Sequence, residues 1–250
     1  MRKFVLYLYK YYFIKKIYRK FMIFLTTFYY FKKERIKDFD GYRLYLNITE
    51  YTSWLMYFTK YEEKEVKFVI NNLKCDDNSL DIGSNIGFYT ILFASLSKKG
   101  IVYSFEANSE NFDKLSKNIK LNEINNVRHF NRAVSNDSSY KYLISTKDIN
   151  AGGHYISLTP EKKYEKVHTI DLNNTLNKDI FFQIVKIDVE GHEIEVLKGM
   201  SNILKRNTKF LIIETSGNFR EIKNYLTKFE FVVLKRYKLN SIFKKNKQDD

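Results

Sequence analysis

Residues 80–90 read Leu-Asp-Ile-Gly-Ser-Asn-Ile-Gly-Phe-Tyr-Thr, an apolar strand running into a glycine-bearing turn and then into a helix. No other segment restricts the fold so much. Gly83 lets the backbone turn tightly, and Gly87 lets the helix start close to a ligand whose anionic group its free amides can bind. Asp81 is expected at the strand end, within reach of a ligand amino group. Twenty-five residues later, Ser104-Phe105-Glu106-Ala107-Asn108 closes the next strand with a carboxylate. In nucleoside-binding α/β folds an acid at that place accepts hydrogen bonds from ribose hydroxyls. Together and in this order, the two motifs point to a nucleoside cofactor.

Around them, apolar periodicity predicts strands over 79–82, 101–105, 127–134, 182–189 and 210–214. Helices are predicted over 86–97, 109–121, 193–204 and 219–229, with a closing hairpin over 231–243. A hairpin over 41–46 and a helix over 62–73 lead in. Residues 140–166 read as irregular, with Gly152-Gly153-His154 as a surface loop, and Lys198-Gly199-Met200 as a helix end. Strands alternating with helices of this length mean an α/β, doubly wound, mostly parallel sheet whose ligands sit at the carboxyl ends of its strands.

The spacing D-x-G-x-x-x-G differs from the dinucleotide fingerprint G-x-G-x-x-G. A pyrophosphate wedged against the helix start needs clustered glycines, and here Ser84 and Asn85 fill that space. S-adenosylmethionine, which has no phosphate, tolerates them. The segments LDIGSNIGFYT, YSFEANSENFDKLSKNIKLNEINNV, KIDVEGHEIEVLKGM and FLIIET, in that order, resemble the FkbM-type methyltransferases over residues 44–229. The resemblance implies a class I methyltransferase (Rossmann-like) fold, S-adenosylmethionine as cofactor, and O-methylation of a hydroxyl on a sugar, glycan or related small molecule. It also implies that Asp81, Gly83, Ser84, Asn85 and Gly87 form the cofactor loop, that Glu106 binds ribose with Asn108 beside it, and that Ala133 and Val134 lie beside adenine. His192 stands where many members carry a small or aromatic residue.

Lys186-Ile187-Asp188-Val189-Glu190-Gly191-His192-Glu193 ends the fourth core strand, and Glu214 ends the strand expected beside it. Strand alternation puts Lys186, Asp188 and Glu190 on one face. Methyl transfer needs the nucleophile about 3 Å from the methyl carbon and in line with the sulfur, together with removal of its proton. Asp188, Glu190 and His192 are the candidate general bases. Oxygen ligands from Asp188, Glu190 and Glu214 suit a hard cation, but no metal is assigned. His129, His154 and His168 fit no ligand spacing and read as structural or surface residues.

Charge bears on partners. The net +14 is divided unevenly: residues 1–37 hold eleven Lys/Arg and one acid, residues 235–250 hold six and two, and the remainder holds 26 of each. The catalytic body is electroneutral, so nucleic acid is disfavoured as a partner. Amino-methylating enzymes on bases commonly carry a Pro-Pro-aromatic loop after the fourth strand, whereas the only proline here is Pro160. Residues 1–37 form a basic aromatic extension, expected to be helical, whose eleven-residue uncharged run over 21–31 is too short to span a bilayer. Such a segment suits an anionic membrane surface; the competing reading is a helix packed on the domain. The expected organisation is the extension (1–37), a lead-in hairpin and helix (38–73), the catalytic domain (74–243) and a charged tail (244–250). A lone cysteine, Cys75, fits a reducing compartment, giving a cytoplasmic expectation with peripheral attachment at the inner membrane face. A non-catalytic scaffold of the same fold is a further alternative, against which the intact cofactor motifs argue.

Overall fold

The computed structural model describes residues 33–145, 154–161 and 164–246; most of the basic aromatic extension, Gly152-Gly153 and the last four residues lie outside them. An antiparallel hairpin, β1 (Glu34–Asp38) and β2 (Arg43–Asn47), turns at Asp40 and Gly41. It therefore starts seven residues before the predicted hairpin. The mixed polar sequence of β1 hides its alternation. Helix α1 (Tyr51–Phe58), which was not anticipated, and α2 (Glu63–Asn72) follow.

Among the described residues the central sheet has seven strands, in the order β12-β13-β11-β10-β3-β4-β5. These are β3 (Asn78–Ile82), β4 (Val102–Phe105), β5 (Val127–Phe130), β10 (Phe182–Ile187), β11 (Thr208–Glu214), β12 (Phe231–Arg236) and β13 (Asn240–Lys245). Pairing is parallel except along β13, which runs antiparallel to both neighbours. Strands β4 and β10 are buried throughout, as two-faced coverage by helices requires. On one face α2, α3 (Phe88–Leu96) and α4 (Ser109–Leu121) pack against Val102, Ile184 and Ile212. On the other, α6 (Glu193–Gly199), α7 (Ser201–Arg206) and α8 (Phe219–Thr227) pack against Val185, Ile187, Leu211 and Ile213. The doubly wound class I methyltransferase architecture read from sequence is the one observed. From β3 the chain winds outward through β4 to β5, then returns to β10 on the other side, so the topological switch point lies between β3 and β10.

Three predicted elements differ. Strand 127–134 breaks at Asn131-Arg132 because the Asn131 amide bonds to the Glu106 and Ala107 carbonyls, and β6 (Ala133–Val134) leaves to join another sheet. The residues read as irregular form that sheet: β7 (Tyr140–Ser145), β8 (His154–Ser157) and β9 (Tyr164–Ile170) pair in the order β6-β9-β7-β8. Its own core is Ala133, Leu143 and Val167, too few apolar residues for a period-two signal. Helix 193–204 divides at Gly199-Met200 into α6 and α7. A short α5 (Leu172–Thr175) precedes β10.

Candidate active site

A cleft enclosing about 1030 Å³, its open mouth included, lies over the carboxyl ends of β3, β4 and β10, where an open α/β sheet binds its ligands. The turn after β3 forms the floor. Gly83 has φ +79°, and a Cβ there would meet the Asp188 carbonyl oxygen at 1.9 Å, so glycine is required by close approach to the β10 end as well as by the turn. Its amide and that of Ser84 both donate to the Phe105 carbonyl, tying the turn to β4. Asn85, at φ +50°, donates its amide to Glu106 Oε2 at 2.7 Å, and Asn108 donates its amide to Oε1 at 2.9 Å. Glu106 is thereby held from both sides while buried, with burial raising its pKa to about 7 against those two hydrogen bonds. The buried Ser84 hydroxyl has no partner among the described residues.

The wall beside Glu106 is apolar, built from Phe105, Ala107, Ala133, Val134 and Leu143. Asp81 lies deeper. Thr90 Oγ1 donates to its Oδ2 at 2.6 Å, and burial raises its pKa to about 6 in spite of that bond and of Lys186.

At the opposite end, Asp188 follows the last residue of β10 and anchors its own amide on the Ile82 carbonyl. Lys186, 1% exposed, donates to Asp188 Oδ2 at 2.9 Å and to Asn240 Oδ1 at 3.3 Å. Burial opposes the Lys186 charge, but Asp188, Glu62 and Glu214 around it hold its pKa above the ordinary value. Burial likewise opposes ionisation of Asp188, and is outweighed by Lys186 and by a hydrogen bond with Glu214, so that its pKa falls below the ordinary 3.8. Glu214 is pushed the other way, burial and the Asp188 charge raising its pKa to about 8. Glu190, exposed at the rim with φ +51°, rises to about 7 through desolvation and the charges of Asp188 and Glu193. One oxygen from each of Asp188, Glu190 and Glu214 lies within 4.8 Å of the others.

The sequence match that accounts for this arrangement covers residues 81–235, which fit the Methyltransferase FkbM domain. The chain belongs to the FkbM methyltransferase family. Among curated relatives, it is 30% identical over 166 residues to the hexuronic acid methyltransferase AglP of Haloferax volcanii, a stretch that covers 64% of the chain and 65% of AglP. Over 66 residues it is 38% identical to the tRNA(Phe) (4-demethylwyosine(37)-C(7)) aminocarboxypropyltransferase of Methanocaldococcus jannaschii, which covers 26% of the chain and 25% of that relative. In each case the match spans less than two thirds of the relative. Two solved structures share the fold at TM-score 0.50: the M. jannaschii tRNA m1G37 methyltransferase, at 16% identity over 87% of this chain and 58% of that one, and a Streptococcus mutans protein in complex with SAH, at 13% identity over 74% and 97%.

Within this FkbM domain, seven of the nine residues assigned to the cofactor from sequence line the cleft: Asp81, Gly83, Ser84, Asn85, Glu106, Ala133 and Val134. The other two serve its frame. Gly87, at φ +96°, starts α3 and allows Leu115 to pack where a Cβ would stand at 2.6 Å, and Asn108 caps α4 by accepting the Asn111 amide. Asp188, Glu190 and His192 all line the cleft. His192 makes a 3.0 Å hydrogen bond with Ser135 Oγ, and burial lowers its pKa.

Several lining residues escaped the sequence reading. His154, read as structural or surface, lies on β8 and lines the cleft with Ile156. Thr52, Met56 and Tyr61 reach it from the lead-in, ahead of the family domain. Beside Tyr61, Glu62 sits at φ +43° and accepts the Tyr89 hydroxyl at 2.5 Å. Lys186 did carry a signal, since a lysine inside the buried run Phe-Gln-Ile-Val-Lys-Ile must have a partner.

Proposed function

We propose that this FkbM-family chain transfers a methyl group from S-adenosylmethionine to a hydroxyl of a sugar or glycan. The observation that carries the proposal is a single cleft at the switch point with a doubly anchored acid, Glu106, at one end and an ion-paired carboxylate, Asp188, at the other.

The donor set fits the cofactor. Each Glu106 oxygen has one backbone donor and retains a lone pair for a ribose hydroxyl. The apolar wall at Ala133 and Val134 suits a flat purine, and the unpartnered Ser84 hydroxyl supplies a polar contact. When bound, S-adenosylmethionine supplies the methyl group from a sulfonium whose sulfur keeps the bonding pair as the new oxygen–carbon bond forms. Asp188 takes the acceptor hydroxyl proton; Glu190 and Tyr61 bound the acceptor's end of the cleft. The sugar reading is supported by the family and by AglP, whose name gives hexuronic acid as its substrate. Mass spectrometry of glycans from cells with and without the gene tests it: a methyl increment of about 14 daltons that needs both the gene and Asp188 is the expected result, and identical glycan masses would remove the proposal.

The chain's attachment to the inner face of a membrane is proposed on sequence alone, from the ten net positive charges beside the aromatic run 21–31. No helix among the described residues is long and apolar enough to cross a membrane. Each Lys or Arg gains about 1 kcal/mol near an anionic surface. The full chain should sediment with phosphatidylserine liposomes at low salt and be released at about 1 M, where the Debye length is about 3 Å. Equal recovery with neutral liposomes would remove the attachment.

A further inference from the structure

Asp188 and Glu190 line the acceptor end of the cleft, Glu62 and Glu214 lie close to Asp188, and the reaction needs one of these carboxylates ionised and fixed. We propose that Lys186 is the positioning residue that singles out Asp188, holding that carboxylate charged and oriented in a buried ion pair so that it, and not its neighbours, accepts the hydroxyl proton. This rests on the methyl-transfer reading above.

The geometry is specific to Asp188. Lys186 lies one register step inside the strand end, fully buried, and its ammonium cannot move freely, because Asn240 on β13 accepts from it at 3.3 Å while the Asn240 amide is itself held by Glu65 of α2 at 3.2 Å. The Tyr89 ring lies 5.4 Å from the same ammonium. Three elements of the fold therefore aim one cation, and Asp188 Oδ2 at 2.9 Å is the carboxylate oxygen that meets it. A buried cation with one close acid and no solvent to share its charge stabilises that acid's ionised form selectively.

The groups facing the pair complete the selection. Glu62 from the start of α2 takes the Tyr89 hydroxyl and is raised chiefly by burial, Glu214 from β11 hydrogen-bonds with Asp188, Glu190 stands at the rim, and Asp81 from β3 is bound by Thr90. Tyr61 is partly buried beside Glu62 and Asp188; desolvation first, and then those two charges, raise its hydroxyl above its ordinary range. Glu62, Glu214, Glu190, Asp81 and Tyr61 are each pushed toward the neutral form by burial and by the Asp188 charge beside them, whereas Lys186 draws Asp188 toward the anion. A proton leaving an acceptor hydroxyl thus meets the one carboxylate that is paired with a buried cation.

The test is a carboxyl ¹³C NMR titration of the full chain, with Asp188 assigned by Asp188→Asn, in the wild type, Lys186→Met and Lys186→Arg. The expected result is an Asp188 titration below the ordinary carboxylate range in the wild type, moved up by about one unit or more in Lys186→Met and largely retained in Lys186→Arg. A wild-type Asp188 that titrates at or above the ordinary range overturns the proposal without any variant, and so does a Lys186→Met titration that stays in place. In parallel, methyl-labelled S-adenosylmethionine is offered with methyl hexosides and methyl hexuronosides as probes. The acidic limb of kcat should move to higher pH in Lys186→Met while calorimetric affinity for S-adenosylmethionine holds. Failure of the wild type to bind S-adenosylmethionine would defeat the methyl-transfer reading by itself, and the NMR titration would still decide the part played by Lys186.

Discussion

Glu106 shows how one side chain can be anchored and still available. Its two oxygens take the amides of Asn85 and Asn108, which fixes the carboxylate plane without using all its lone pairs. With no ligand its burial favours the protonated form, and its pKa stands at about 7; ribose hydroxyls donating to it would favour the anion. Hydrogen bonds to a charged group contribute roughly 1.5 to 3 kcal/mol. Glu106→Ala should therefore weaken S-adenosylmethionine binding about ten-fold or more, measured by calorimetry, and an unchanged affinity would move the ribose elsewhere. Non-glycine left-handed conformations sit at the same site, at Glu62, Asn85 and Glu190. Such conformations are kept where the surroundings over-determine them.

Among the elements, the ones that read clearly from sequence are those buried on two faces or carrying long helical periodicity. Helix α4 was placed to the residue, because its apolar stripe of Leu115 and Ile119 follows an Asn cap. The break between α6 and α7 falls at Lys198-Gly199-Met200, which reads from sequence as a helix end even though the apolar pattern continues to residue 204. Its cause is tertiary: a Cβ at Gly199 would stand 1.8 Å from the Ser135 carbonyl oxygen, so the helix passes against the end of β6 with no room for a side chain. Read along the chain, that glycine looked like punctuation. The small sheet of β6 to β9 was likewise hidden, since its strands face water on one side and bury few residues on the other. It carries His154 and Leu143 to the cleft.

For the whole molecule, the crowded carboxylates leave a pH signature. Asp81, Glu106, Glu190 and Glu214 have folded-state pKa values of about 6, 7, 7 and 8, all above their ordinary values. As pH rises the unfolded chain ionises first, so the stability these groups contribute is complete below their ordinary values and is lost as pH climbs through the folded ones. Asp188, lowered, does the opposite, but its contribution is lost only on acidification. His129, His154 and His192, lowered by burial, offset the trend only near and below their ordinary 6.5. The Tm of the ligand-free chain should fall between about pH 7 and 9, with a shallower slope in Glu106→Gln; a Tm that rises over that interval would contradict these assignments. The strand–turn–helix around Gly83, the acid at Glu106, the doubly wound order and the carboxylates after β10 are legible along the chain, because those features are local: fixed spacing, glycine conformation and periodicity suffice to specify them. It takes the packed fold to show that Lys186 pairs with Asp188 and that Thr52, Met56, Tyr61 and His154 share its cleft. Those depend on burial and on contacts between residues as many as 175 positions apart, and no local pattern records either.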